Sequence, residues 1–209
     1  MPRPASSPLA LEGQRRDRSR VERSWLPGVG AIALIGAAAW LAGGKPLAVF
    51  ALSFWHYYLY WLAYRYGAVP LAVFKRDALW LKSVALAALA AAYLAAPLDA
   101  LSLAVVAAGF ALNATAAAAL GSDRTYYGDE VAGLPPLRIT HFPYSMLSHP
   151  MLVGNMLAFG GTLLSAEFRG EWWALAAAHV ALNFGLLLME RFATPLRLGM
   201  RGRAPRPAS

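Results

Sequence analysis

The chain has 209 residues, 58% of them hydrophobic and only 14% charged, with a mean hydropathy of +0.45. Soluble domains run at roughly 45–50% apolar and about 25% charged, so lipid must be the solvent for much of this surface. The absence of cysteine excludes disulfides, thiolate metal sites and cysteine nucleophiles, and the net charge of +8 sits in tails and short loops rather than in a folded nucleic-acid-binding patch.

Residues 1–24 place Arg3, Arg15, Arg16, Arg18, Arg20 and Arg23 among Pro, Ser and Gly without any apolar period, which reads as a disordered cytoplasmic tail. Arg15-Arg16 runs into Asp17-Arg18 rather than an apolar pair, a poor fit to a twin-arginine export signal. A membrane domain over 25–195 follows, and 196–209 form a second basic tail. Six apolar segments, at about 26–42, 47–66, 78–96, 98–120, 149–165 and 172–189, lie near the roughly 17–25 residues that span hydrocarbon. Gly43-Gly44-Lys45-Pro46, Pro70 with Lys75-Arg76-Asp77, Pro97, a long polar loop and Glu167-Phe168-Arg169-Gly170-Glu171 separate them. The runs are continuous and Ala/Leu-rich, without alternation. They predict an all-α polytopic bundle of about six membrane helices, five being the alternative, and not a barrel.

With six spans and the N-terminus inside, only Lys45 and Arg169 of the 19 Lys and Arg residues fall outside. The positive-inside rule therefore puts both termini and the polar loop on the cytoplasmic side, in what reads as a bacterial inner membrane.

That loop, Gly121 to Gly154, is long, and loops beyond about 12–15 residues are uncommon unless functional or disordered. Tyr126, Tyr127, Phe142, Tyr144, Met146 and Leu147 give it too much apolar surface for a solvated tail, so an ordered binding loop is expected. The fifth and sixth segments form an antiparallel hairpin, which brings His149, Glu190 and the loop to one end of the bundle. On the last helix His179, Asn183 and Glu190 fall within about 40° of one another at 100° per residue. Such a stripe faces a cavity or a hydrogen-bonded packing seam. Residues 54–66 are aromatic on all sides, which suits packing or the interface, with a lipid-substrate groove as the alternative.

The run Gly121-Ser122, Tyr126-Tyr127-Gly128-Asp129, Arg138-Ile139-Thr140-His141-Phe142-Pro143-Tyr144 and His149-Pro150-Met151-Leu152-Val153-Gly154, followed by Glu190-Arg191-Phe192, resembles the phospholipid N-methyltransferases. More widely it resembles the isoprenylcysteine carboxyl methyltransferases. The resemblance covers about 120–195. Ser122-Asp123 replace the family's Gly-x-Gly continuation, Leu152 stands where the His-Pro motif has tyrosine, and Met189-Glu190 stand for a pair of glutamates.

The resemblance implies S-adenosylmethionine as cofactor and a membrane lipid amine, phosphatidylethanolamine or its methylated derivatives, as substrate. It implies Gly121, Arg124, Tyr127, Gly128, Arg138, Pro150, Gly154 and Glu190 at the cofactor, and His149, His141 or Asp129 as the base that deprotonates the amine. No metal is expected. The residue chemistry agrees: Tyr126, Tyr127 and Phe142 suit a sulfonium by cation–π attraction, Glu190 an ammonium, and Arg124 or Arg138 a carboxylate. The competing readings are a carboxyl methyltransferase, a membrane reductase of the sterol-reductase type, and a non-catalytic scaffold on the same fold.

Overall fold

The computed structural model describes residues 25–66, 70–132, 134–135 and 137–192, without the side chains of 25–27, 29, 129 and 130. The two basic tails lie outside the described residues. Among these residues there is no strand, and the helices are α1 Trp25–Ser53, α2 Trp55–Tyr66, α3 Leu71–Tyr93, α4 Ala100–Leu120, α5 Ser122–Thr125, α6 Gly128–Ala132, α7 Pro150–Thr162 and α8 Ala166–Phe192. Three stretches, Gly30–Tyr66, Ala100–Leu120 and Ala166–Phe192, are long and apolar enough to cross a membrane. The protein is an all-helical membrane bundle.

The chain forms two compact units, Met1–Leu52 and Ser53–Ser209. In the first, α1 is two helical arms rather than one rod. Gly43 and Gly44 leave helical geometry, and Gly44 has φ 65°, a conformation that a side chain resists. The arms fold back on each other, since a Cβ built on Gly36 would lie 3.2 Å from the Leu52 side chain. The expected break at Gly43-Gly44-Lys45-Pro46 is therefore a hairpin turn.

In the second unit the closest helix contact is between α4 and α7. A Cβ on Gly109 would lie 2.6 Å from the Gly154 carbonyl oxygen, and one on Gly154 would lie 2.7 Å from the Gly109 carbonyl oxygen. The two backbones touch because neither residue has a side chain, the small-residue packing that membrane helices favour. Polar contacts fix the pair. The Asp99 carboxylate caps α4 by accepting from Ser102 N at 2.7 Å, and Ser102 Oγ donates to Gly161 O at 2.8 Å. At the other end Asn113 Nδ2 donates to Met151 O at 2.9 Å, anchoring the first turn of α7 beside His149.

The turn between α7 and α8 falls at Leu163–Ser165, earlier than the expected break at 167–171. Phe168 is buried and packs edge-on to Tyr93, which draws those residues into the first turns of α8. Ser165 Oγ accepts from Phe168 N at 3.4 Å, and Arg169 Nη1 donates back to Leu163 O at 2.8 Å.

Candidate active site

The polar loop is ordered, and aromatic packing orders it. Gly121 ends α4 with φ 82° and ψ 157°, a region essentially reserved for glycine, and turns the chain into α5. Lys75 on α3 pins that turn through an ion pair with Asp123, which holds the Asp123 carboxyl below its ordinary range, and through Ser122 Oγ at 3.1 Å. Tyr126 and Tyr127 then insert into the bundle. Tyr127 stacks on Phe74 at 6.1 Å and meets Tyr60 and Tyr64 edge-on at 5.6 and 5.1 Å.

Tyr127 is also the one described non-glycine residue with positive φ, 55°. Such a conformation costs about 1–3 kcal/mol and persists where the surroundings over-determine it. Here they do: the ring is wedged among three others, and its hydroxyl donates to Glu190 Oε1 at 2.7 Å. The other carboxylate oxygen, Oε2, accepts from His149 Nδ1 at 2.9 Å. A carboxylate only accepts, so His149 carries hydrogen on Nδ1 and its Nε2 is the basic atom when the ring is neutral. Glu190 thus joins the loop, the N-cap of α7 and the last turns of α8 at one point.

This junction lies on a cavity of about 280 Å³. Its junction end is lined by Arg124, Tyr127, Tyr144, His149, Pro150 and Glu190, and its far wall by Lys82, His56, Tyr57, Asn155 and Asn183, with Tyr60 and Tyr64 alongside. Burial, and then the charge of Glu190, push the Tyr144 phenol above its ordinary pKa, so it stays a donor. A carboxylate has about four lone-pair sites. With two taken by Tyr127 and His149, Glu190 keeps capacity for an ammonium. Nearby Arg124, whose Nη2 donates to Pro135 O at 2.9 Å, supplies positive charge at the same end.

Behind the far wall the expected polar stripe forms a hydrogen-bonded network. Asn183 Nδ2 donates to Tyr57 Oη at 2.6 Å, Tyr57 Oη and His179 Nδ1 share a hydrogen bond at 3.0 Å, and Asn155 Nδ2 donates to Asn183 Oδ1 at 3.1 Å. His179 stacks on Phe159 at 4.4 Å. His179 and Asn183 are 1% exposed, so they serve the seam, while Asn183 also reaches the cavity.

Of the residues singled out from the sequence, Arg124, Tyr127, His149, Pro150 and Glu190 meet at the cavity. Several do not. His141 and Arg138 are exposed on the loop, and Phe142 is 55% exposed, too open to cage a sulfonium. Gly154 faces α4, where the backbone approach of Gly109 requires it, and not the cavity. Gly128 is buried against Asp123 O, which a Cβ there would meet at 2.7 Å, and Gly121 shapes the turn. Asp129 lies in α6, and its side chain is outside the described residues. Nothing in the sequence marked Lys82 and Asn155 as lining residues, whereas His56 and Tyr60 come from the aromatic run 54–66, for which a substrate groove was the alternative to packing.

The site therefore offers a paired carboxylate and imidazole, a cation and aromatic faces within one cavity at the end of a membrane helix. Residues 98–195 match the phospholipid methyltransferase family. The match runs from the start of α4 through the end of α8. It takes in the motif loop, His149 and Glu190, and leaves out α2 and α3, which supply Tyr60 and Lys82. It agrees with the resemblance carried by the Gly121–Gly154 motifs and Glu190, and it points to a methyltransferase embedded in the membrane. No curated protein and no solved structure gave a match.

Proposed function

We propose that the protein is an S-adenosylmethionine-dependent N-methyltransferase acting on a membrane lipid amine, phosphatidylethanolamine or a partly methylated derivative, at the cytoplasmic leaflet of a bacterial inner membrane. The observation that carries this reading is the Glu190 carboxylate, held between Tyr127 and His149 on the cavity. The donor set suits the cofactor: Glu190 for the α-ammonium, Arg124 for the carboxylate, and the faces of Tyr60, Tyr64 and Tyr127 for a sulfonium, each such face contributing about 0.5–2 kcal/mol. When bound, S-adenosylmethionine supplies an electrophilic methyl group on sulfur.

The chain's own residues position and deprotonate. A lipid ammonium has no lone pair and must lose a proton before its nitrogen attacks. His149 Nε2, made the basic atom by the Nδ1–Glu190 bond, takes that proton. With the amine deprotonated by His149 and the donor held by Glu190 and Arg124, methyl transfer would need no covalent enzyme intermediate. Most of the rate therefore comes from alignment of the two reactants. The cytoplasmic placement is supported by the basic residues on either side of the motif loop and by the Arg-rich tails of the sequence.

Titration calorimetry of the purified protein in detergent tests the cofactor assignment against the reductase alternative. Saturable binding of S-adenosylmethionine and no heat with NADPH is the expected result. NADPH binding without a response to S-adenosylmethionine would overturn it.

A further inference from the structure

The far wall of the cavity holds a cation that the reading above does not use. Lys82 is the midpoint of α3, Leu71–Tyr93, eleven residues from either end. At 1.5 Å per residue that is about 16 Å from each helix terminus, and it lies four residues into the apolar stretch that begins at 78. A charged group inside a membrane bundle is costly and as a rule marks a functional site. The contrast with Lys75 is informative. Seven residues earlier, and so on the same face of the helix, Lys75 is paired with Asp123 and Ser122. Lys82 has no carboxylate partner among the described residues, and it lines the cavity. His56 lines the same cavity, is only 6% exposed, and its Nδ1 finds no hydrogen-bond partner. Helical side chains lean toward their N-terminus, which directs Lys82 along α3 toward the end where Lys75 and the motif loop lie.

A partly buried cation and an unpartnered, buried imidazole lining one space call for an anion. The methyl donor brings one, a carboxylate, but Arg124 stands for it at the Glu190 end. We infer that Lys82 and His56 form a phosphodiester site, which seats the phosphate of the acceptor lipid at the far wall and leaves its amine toward His149 and Glu190. The inference rests on the function proposed above and adds to it which residues hold the phosphate that such an acceptor carries, and that this phosphate, not only the amine and the tails, is read by the site. The cavity is then polar at both ends for one reason. Its acidic end takes the cofactor and the amine, and its basic end takes the phosphate. The two lining helices that fall outside the family match, α2 and α3, supply this second end.

The test compares two acceptors with the same amine and the same short acyl chains, dihexanoyl phosphatidylethanolamine and a phosphate-free aminoethyl ether of dihexanoylglycerol. Binding of each to the full chain in detergent is measured for the wild type, Lys82→Met and Lys82→Arg. S-adenosylmethionine titration of every variant serves as the check on folding. The wild type should prefer the phosphate-bearing lipid, and Lys82→Met should lose roughly tenfold to a hundredfold in affinity for it. Lys82→Met should leave the ether and the methyl donor unchanged, and Lys82→Arg should retain most of the preference. Inorganic phosphate should compete only weakly, because it lacks the tails.

Equal binding of both lipids by the wild type, or an unaltered preference in Lys82→Met, overturns the inference. So does a loss of S-adenosylmethionine affinity in Lys82→Met with Lys82→Arg intact, which would assign the lysine to the donor carboxylate. Competition by inorganic phosphate as strong as by the lipid would make this a site for free phosphate instead. These are binding readouts. A wild type that prefers the phosphate lipid yet transfers no methyl group would contradict the proposed function while leaving the phosphate site standing.

Discussion

At the scale of single residues, Glu190 is where the account is most exposed. It accepts from Tyr127 at 2.7 Å and His149 at 2.9 Å, and it is assigned a third role toward the cofactor ammonium. Glu190→Gln keeps the shape and removes the charge. Affinity for S-adenosylmethionine should fall by about 1.5–3 kcal/mol, the scale of a hydrogen bond to a charged group, and calorimetry reads it directly. Unchanged affinity would leave Glu190 with no part in holding the cofactor. The 4- and 7-residue spacing of His179, Asn183 and Glu190 was legible in the sequence, because a helix converts spacing into direction. Lys82 was legible only as a positive charge. Its role depends on α3 turning that face to a cavity whose opposite wall comes from residues more than forty positions later, and no local pattern carries that information.

At the scale of elements, the glycines show where sequence reasoning misassigns. A glycine inside a motif suggests approach to a ligand, yet Gly154 serves the contact between α4 and α7, because Gly109 meets it from a helix that the motif does not include. The register between two helices decides which glycine faces which, and single-sequence periodicity cannot supply it in helices that are apolar all round. The mechanism predicts a selective cost. In Gly154→Ala the new Cβ would fall 2.7 Å from the Gly109 carbonyl oxygen and 2.8 Å from Asn113 N, so backbone must move. Overpacking of this kind costs about 1–3 kcal/mol. Thermal unfolding in detergent should fall for Gly154→Ala, whereas Gly170→Ala, in open space on α8, should hold or rise slightly. Equal midpoints for the two variants would remove the packing explanation. The early start of α8 has a similar origin: the charged residues Glu167, Arg169 and Glu171 looked like a break, and burial of Phe168 between them overrode the pattern.

At the scale of the whole molecule, composition alone fixed the solvent, and the breakers at Gly43-Gly44, Pro70 and Pro97 fell close to the observed turns, whereas Lys75-Arg76-Asp77, expected to break the chain before 78, lie inside α3. The motif loop was recognisable as ordered because it is aromatic. That its tyrosines would pack inside the bundle, rather than lie as a belt at the interface, came only from the convergence of α2, α3 and the loop on Phe74. The central claim joins place and chemistry: one cavity, open to the cytoplasmic side, that methylates a phospholipid amine. Transfer of tritiated methyl from S-adenosylmethionine, in sealed membrane vesicles of both orientations made from cells expressing the protein, tests both parts together. The donor does not cross the bilayer unaided. The account predicts labelled phosphatidylethanolamine derivatives in inside-out vesicles, little label in right-side-out ones, and loss of the signal in His149→Ala. Label appearing only in right-side-out vesicles, or only on an added prenylated cysteine peptide, would contradict it.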